Sequence, residues 1–421
     1  MADAASPDAS AAGEDMLQRL QRSPAVVAGA GFLVMMASGA VWGSFTLFLV
    51  AIADDTGWSK TSIALGFTVF TFLGACAAPL TGWMTDRWGS QPVLAGLAVV
   101  FAAGIGLASL SDQPAIFYLT FGVLAGLGSQ SCGSYTLFTI AGNWFRRPAT
   151  AMAVMDSGSG IGTLLSLPVL QLVIEAHSWR VAYVALGLFV LVLVLPLTAM
   201  FMRLHPPGAE PSARRGGEPG RRSPLGAVQA IAASRTLRWF AAIHVAAPLV
   251  FHAIASHQIA YFHHAGVDPD LAVLLVASTG FTFFAARLAF GALIDWRGLL
   301  DAGIVKAIAA LGTLALLFAL PALAGSPAAL AFPVLFALGF CATNLLYANA
   351  ARQIIDPASF SAVFGAVRLL YGTGVAMGPP IMAAMVEATG RYDLPFACIG
   401  ALMLAQHAVF IALARRRRRS G

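Results

Sequence analysis

The sequence predicts an all-α polytopic membrane protein, with twelve transmembrane helices in two pseudo-symmetric six-helix bundles. Three observations predict it. The chain of 421 residues is 58% hydrophobic and only 10% charged, with a mean hydropathy of +0.79, whereas soluble domains carry roughly 25% charged residues. Runs apolar enough to cross a bilayer, which takes about 20 residues, recur at 26–53, 60–84, 92–110, 115–142, 149–174, 180–203, 238–262, 270–293, 302–323, 328–350, 360–385 and 394–414. One long polar break separates the sixth run from the seventh.

The first 25 residues are rich in Ala, Asp and Ser and include acids. They lack the basic start and small-residue cleavage site of a signal peptide, so they read as a disordered cytoplasmic tail. Residues 26–203 form the first bundle. The break Leu204–Ser234 carries Pro206, Pro207, Pro211, Pro219 and Pro224 among glycines and the pairs Arg214-Arg215 and Arg221-Arg222. Such a composition buries no core, so 204–237 reads as a flexible cytoplasmic linker. The second bundle spans 238–414. The basic tail 415–421 fixes topology and meets anionic lipid headgroups.

Orientation follows from the basic residues. Of the 25 Lys and Arg, only Lys60, Arg180 and Arg391 fall in loops on the far side, while the near side collects the rest, Lys306 included, apart from Arg287 and Arg368 inside spans. The asymmetry places both termini in the cytoplasm of a plasma membrane, the inner membrane in a bacterium. The net charge of +6 is then a topology signal, and nucleic-acid binding is not expected. Cys76, Cys132, Cys341 and Cys398 all fall within spans without metal-ligand spacing, as small packing residues do. No metal, no cofactor and no enzyme chemistry is expected, because no nucleophile–base set, phosphate loop or metal cluster is present.

Charges inside the spans carry the functional signal. Arg287 and Arg368 lie in apolar runs, where a charge costs at least about 2.5–3.5 kcal/mol. A guanidinium stays charged when desolvated and offers a carboxylate two parallel hydrogen bonds. Asp156 is the carboxylate inside a first-half span. It is a proton carrier or a structural partner, Arg368 being one candidate. His252 and His257, in the histidine-rich seventh span, are candidates for proton coupling, and His257 also for substrate. Asn344 and Tyr347 share a face of the tenth span, either lining a cavity or packing. Gly122 with Gly126, and Gly158 with Gly162, have the small-xxx-small spacing of helix-packing faces.

The halves also repeat. Gly82-Trp83-Met84-Thr85-Asp86-Arg87-Trp88-Gly89 follows span 2, and Gly291-Ala292-Leu293-Ile294-Asp295-Trp296-Arg297-Gly298 follows span 8. Gly, Asp and the second Gly recur at a shift of 209 residues. Sites in such repeats lie near the midplane between the halves.

On these residues and the six-loop-six plan, the chain resembles the major facilitator superfamily. The resemblance implies cytoplasmic gating roles for Gly82, Asp86, Arg87, Gly89, Asp295 and Arg297. Three further segments resemble the monocarboxylate transporter branch and its bacterial oxalate/formate antiporter-like members: Asn143–Ala153 running into Ser157–Gly162, Ala286–Asp295, and Gly378-Pro379-Pro380 followed by Glu387–Tyr392. The resemblance implies that Arg287 binds a substrate carboxylate, that Tyr135 contacts substrate, and that His257 occupies a polar span-7 position. The oxalate carriers' span-11 lysine corresponds to Arg368 or to Tyr371. Some members carry an Asp four residues before the span-8 arginine, where this chain has Phe283, and the span-1 lysine of animal members is absent from Val41–Thr46.

The expected function is secondary active transport of small organic anions by alternating access. The substrate is a monocarboxylate such as lactate, pyruvate or formate, or a small dicarboxylate, moved by proton symport or anion exchange by a monomer. The alternative is an exporter of drugs or other metabolites from the same superfamily.

Overall fold

The computed structural model describes Met16 and residues 19–207, 224–323, 325–356 and 359–420. All elements among these residues are helical, and twelve helices are long and apolar enough to span a bilayer. We number them α1 (Pro24–Thr56), α2 (Lys60–Trp88), α3 (Ser90–Leu110), α4 (Pro114–Trp144), α5 (Pro148–Ala176), α6 (Trp179–Phe201), α7 (Arg235–His264), α8 (Pro269–Arg297), α9 (Leu299–Leu323), α10 (Pro327–Ile354), α11 (Phe360–Thr389) and α12 (Asp393–Ser420).

Local chemistry sets many of the ends. Ser59, Ser178, Ser234 and Asp268 cap α2, α6, α7 and α8 by accepting first-turn amides, which supplies donors that hydrocarbon cannot satisfy. Gly89 and Gly298 end α2 and α8 at φ 84° and φ 92°, a conformation a side chain would strain. The segments that follow spans 2 and 8 in the sequence reading are the last two turns of long helices. The repeat is one of backbone geometry as well as of residues.

Three sequence boundaries shift. Residues 19–22 are helical, as is Pro224–Ala233 within the predicted linker, and α12 continues through the basic tail to Ser420. The helix Pro224–Ala233 packs against α11, which explains why its apolar residues order. The rest of the predicted N-tail and residues 208–223 of the linker lie outside the described residues.

Each bundle is built around one close helix pair, α1 on α5 and α7 on α11. A Cβ on Gly158 would meet the Phe32 carbonyl oxygen at 2.1 Å, and one on Gly162 the Met36 carbonyl oxygen at 1.9 Å. In the second bundle Gly374 and Gly378 face the Val245 and Leu249 carbonyls in the same manner. Without a hydrophobic force between helices in lipid, this backbone proximity is what drives association. The bundles meet along α2 with α11 and α5 with α8.

Gly162→Val places a side chain on the Met36 backbone and is expected to destabilise the purified protein by at least about 1–3 kcal/mol. Gly160→Ala, whose Cβ meets nothing within 4 Å, leaves the thermal midpoint unchanged or raised. Equal midpoints for the two variants would show that α1 and α5 do not depend on this approach.

Candidate functional site

Midway through the membrane, α4 and α10 both lose regular helix. In α4 the backbone widens to π-helical geometry over Tyr118–Ala125, tightens to 3₁₀ over Ser129–Cys132, and is extended at Gly133 (φ −68°, ψ 120°). In α10 the helix stops at Phe340, turns through Cys341 and Ala342, and restarts at Thr343. Cys132 and Cys341 stand at these two breaks with the same 209-residue offset that relates Asn143 to Arg352. Broken helices at equivalent positions of a repeat point to a binding region, because irregular backbone at that depth needs protein or a cavity around it.

The intramembrane arginines converge here. Arg287 lies about 15 Å inward from the end of α8, and Arg368 about 12 Å inward from the start of α11, at 1.5 Å per residue. The sequence boundaries had put Arg287 shallower. They stopped span 8 four residues short of the helix end at Arg297. Arg287 Nε sits 3.2 Å from Asp156 Oδ2, and its Nη1 donates to the Asp156 carbonyl and the Ser159 hydroxyl, both at 3.1 Å. This is an ion pair between bundles, α8 to α5, with Asp156 only 7% exposed. Asp156 thus pairs with Arg287 and not with Arg368.

Arg368 is held differently. Its guanidinium carbon lies 4.9 Å from the Tyr135 ring centroid and 4.6 Å from that of Tyr371. Among the described residues no carboxylate pairs with it. Aromatic faces stabilise a cation without using its N–H edge. The Tyr135 hydroxyl is buried beside it, within hydrogen-bonding reach of the guanidinium. The Tyr371 phenol lies within reach of the Asn344 side chain and in electrostatic range of Arg368, Asp156 and Arg287. Tyr135, Tyr371, Asn344 and the two arginines therefore form one polar region between the halves.

Towards the arginine-rich end the region is sealed. Pro148 and Arg147 leave the first turn of α5 without a side-chain cap of its own. Asp295 of the other bundle supplies one, accepting from Ala149 N (3.2 Å), Thr150 N (2.7 Å) and Thr150 Oγ1 (2.6 Å). A carboxylate at a helix N-terminus also meets the positive end of the helix dipole. Arg352 donates to Asn143 Oδ1 at 3.3 Å and lies flat on Gly142, where a Cβ would overlap its guanidinium. Gly365 of α11 presses on the Ala78 carbonyl of α2. Among the described residues, every polar side-chain contact between the bundles lies between the Arg287 level and this end.

Other predicted residues are placed elsewhere. His257 stands near the far end of α7, 6.2 Å from the Tyr392 ring, and does not meet Arg287. His252 binds the Pro248 carbonyl at 2.8 Å. Tyr347 is turned into the second bundle, donating to Gln406 Oε1 at 2.8 Å. Arg87 and Arg297 are exposed and lie over Trp83 and Trp296, while Gly82 is buried on the α2 face and Asp86 is half-buried and engaged. Phe283 packs with Phe251 and Phe336, an apolar setting for the position where some family members carry an acid. Sequence reasoning missed Lys306 by assigning it to the cytoplasmic surface. It is 3% exposed inside the second bundle. It missed Arg352 as a contact too, although Arg352 is the 209-shift counterpart of Asn143 in the quoted motif.

Two linked helical bundles with a cationic region between them, held together at one end, have the plan of a membrane transporter. The chain belongs to the Major Facilitator Superfamily, whose family model matches residues 30–379. It is similar to human monocarboxylate transporter 12, 26% identical across 94% of this chain and 81% of that one, and to human monocarboxylate transporter 11, 27% identical across 86% and 75%. Among solved structures, the E. coli fucose:proton symporter in its outward conformation superposes with a TM-score of 0.71 at 16% identity, covering 93% of this chain and 98% of that one. The human organic anion transporter structure gives 0.69 at 17%, covering 93% and 99%. These are transporters, not enzymes.

Asp295→Ala removes the acceptor of two α5 amides. Hydrogen exchange in the peptide containing Ala149 and Thr150 is expected to rise by about tenfold, the equivalent of about 1.4 kcal/mol for a lost charge-assisted cap. Exchange equal to wild type would show that Asp295 does not hold the bundles together.

Proposed function

We propose that this protein is a secondary active carrier of small organic anions, with Arg368 as a principal anchor for the substrate carboxylate. The observation that carries this reading is the Arg368 guanidinium between Tyr135 and Tyr371, with an N–H edge that no carboxylate among the described residues occupies. A monocarboxylate fits that edge as a planar fork and takes a further bond from the Tyr135 hydroxyl, which lies beside the same guanidinium. Arg287 reaches the same region, but Asp156 already answers its charge. A substrate that engages Arg287 must compete with Asp156, and that competition links binding to loosening of the α5–α8 contact. A small dicarboxylate such as oxalate engages both arginines.

The monocarboxylate transporter relatives support the substrate class. The seal at the arginine-rich end supports alternating access, with this end cytoplasmic. Proton symport or anion exchange drives the cycle, and the working unit is a monomer in a plasma membrane. An exporter of cationic drugs fits less well, because such a substrate wants a free carboxylate and Asp156 is engaged by Arg287.

The test is uptake of labelled lactate, pyruvate, formate and oxalate into proteoliposomes. Arg368→Ala is expected to lower uptake about a hundredfold, the equivalent of about 3 kcal/mol for charged hydrogen bonds. Arg368→Lys restores little, since an ammonium has no planar fork. Tyr135→Phe raises KM by about tenfold or less, for one neutral hydrogen bond. Absence of transport for all four acids, or full activity of Arg368→Ala and Arg287→Ala alike, would sink the proposal.

A further inference from the structure

A second cluster of ionisable groups lies inside the second bundle. Lys306 on α9 is 3% exposed, Gln406 and His407 on α12 are 4% and 6% exposed, and Tyr347 on α10 is 2% exposed. Lys306 Nζ is 3.2 Å from His407 Nε2. His407 Nδ1 is 2.8 Å from the Met403 carbonyl and 2.6 Å from the Gln406 side-chain amide. The other end of that amide meets the Tyr347 hydroxyl at 2.8 Å. Lys306 and His407 thus form one contact pair between α9 and α12, with Gln406 beside the imidazole and Tyr347 donating to Gln406 Oε1.

Donor and acceptor logic fixes its direction. A carbonyl only accepts, so His407 Nδ1 carries the hydrogen that points to Met403, and Nε2 is left as an acceptor facing Lys306. The lysine therefore donates to an imidazole, not to a carboxylate. Among the described residues no acid pairs with Lys306. From α10 it is faced by the Phe340 ring at 5.8 Å and by Cys341, with Arg287 of α8 in range of that same thiol. His244 of α7 packs at a tilt against Tyr347, ring centroids 4.5 Å apart.

A cation kept permanently in such a place would need a counter-charge, as Arg287 has in Asp156. Two nitrogen bases in contact behave otherwise. With one excess proton they share an N–H⁺···N bond and carry a charge of +1. When the proton leaves, both are neutral, the hydrogen bond persists, and no opposite charge is orphaned. We propose that Lys306 and His407 form a proton-binding site of this carrier, distinct from the anion site and coupled to it through α10. The proposal rests on the carrier reading above and names its coupling site. α10 carries the coupling because Cys341 lies in electrostatic range of Lys306, Arg287 and Asp156, while Asn344 reaches Tyr371 and Tyr347 holds Gln406. A proton on the pair makes the interface more positive and favours a bound anion, and by linkage the anion favours the proton. Proton and carboxylate then load together and unload together, which is symport.

The experiment compares wild type with Lys306→Gln and His407→Gln in proteoliposomes. Carboxylate accumulation driven by an inside-alkaline pH gradient is expected to fall at least about tenfold in both variants. Exchange of labelled for unlabelled carboxylate at equal pH, which needs no net proton movement, stays within about twofold of wild type. Wild-type accumulation in both variants overturns the proposal, and so does parallel loss of both activities in monodisperse protein. A second readout needs no substrate. On lowering the pH of purified protein in weak buffer from about 9 to about 6, indicator dye reports about one proton less taken up by Lys306→Gln/His407→Gln than by wild type. Equal uptake overturns the proton site even if the wild type proves to carry none of the acids tried, the result that would instead count against the carrier reading.

Discussion

A charge inside a bilayer must find its partner within the protein, and this constraint organises the molecule. Three cations within the spans meet it in three ways. Arg287 takes a carboxylate, Asp156, from the opposite bundle. Arg368 takes the faces of two tyrosines. Lys306 takes an imidazole. The partners differ in what they leave possible. A carboxylate neutralises and ties, an aromatic face stabilises while sparing the hydrogen-bonding edge, and an imidazole allows the proton itself to depart. The same residue class thus ties the halves together in one place and, in the proposed cycle, anchors the anion and binds the proton in the other two, according to what stands opposite.

The seal at the arginine-rich end follows from a local deficiency. α5 begins with Pro148 after Arg147, a sequence that cannot cap its own first turn. Asp295, the last-turn acid of α8, satisfies those amides only when the bundles are together. One helix therefore depends on the other bundle for an acceptor that hydrocarbon and lipid cannot supply to its first amides. Breaking the seal exposes that end to water, which can replace Asp295, so the contact is reversible in a way a buried ion pair is not. The Arg287–Asp156 pair lies deeper, with less access to solvent, and makes the separation of α5 from α8 dependent on what else can neutralise either charge. A substrate anion is such a group, and this is the physical link between binding and movement in the proposed cycle.

Pseudo-symmetry places the features in register. The breaks at Cys132 and Cys341, the helix-ending Gly89 and Gly298, and the pair Asn143–Arg352 all follow one shift along the chain. The two bundles nevertheless use the shared positions differently. Tyr135 in the first half stands where the second half has Asn344, and Phe138 where it has Tyr347. The first bundle is lined at depth by stacked aromatics such as Phe45, Phe67, Phe70 and Phe121, whereas the second encloses the polar groups from Tyr347 to Lys306. Diverged halves on a common frame thus place different chemistry at equivalent depths.

Composition and periodicity determined the twelve helices, the break between the sixth and seventh, and the repeat after α2 and α8. These depend only on how much apolar length a bilayer demands and on where glycine and acid recur. The sequence also singled out Arg287, Arg368, Tyr135, Tyr371 and Asn344, since polar groups in apolar runs are costly wherever the helices turn. It could not assign their partners. Which side chains meet depends on helix rotation, and a turn of about 100° per residue carries Tyr347 from the interface into a bundle and Lys306 from the surface into the core. Tertiary structure alone decided that Asp156 serves Arg287, that Arg368 keeps its edge free of carboxylates, and that His257 stands apart from both. Such pairings join residues more than a hundred positions apart on faces that periodicity does not orient relative to one another.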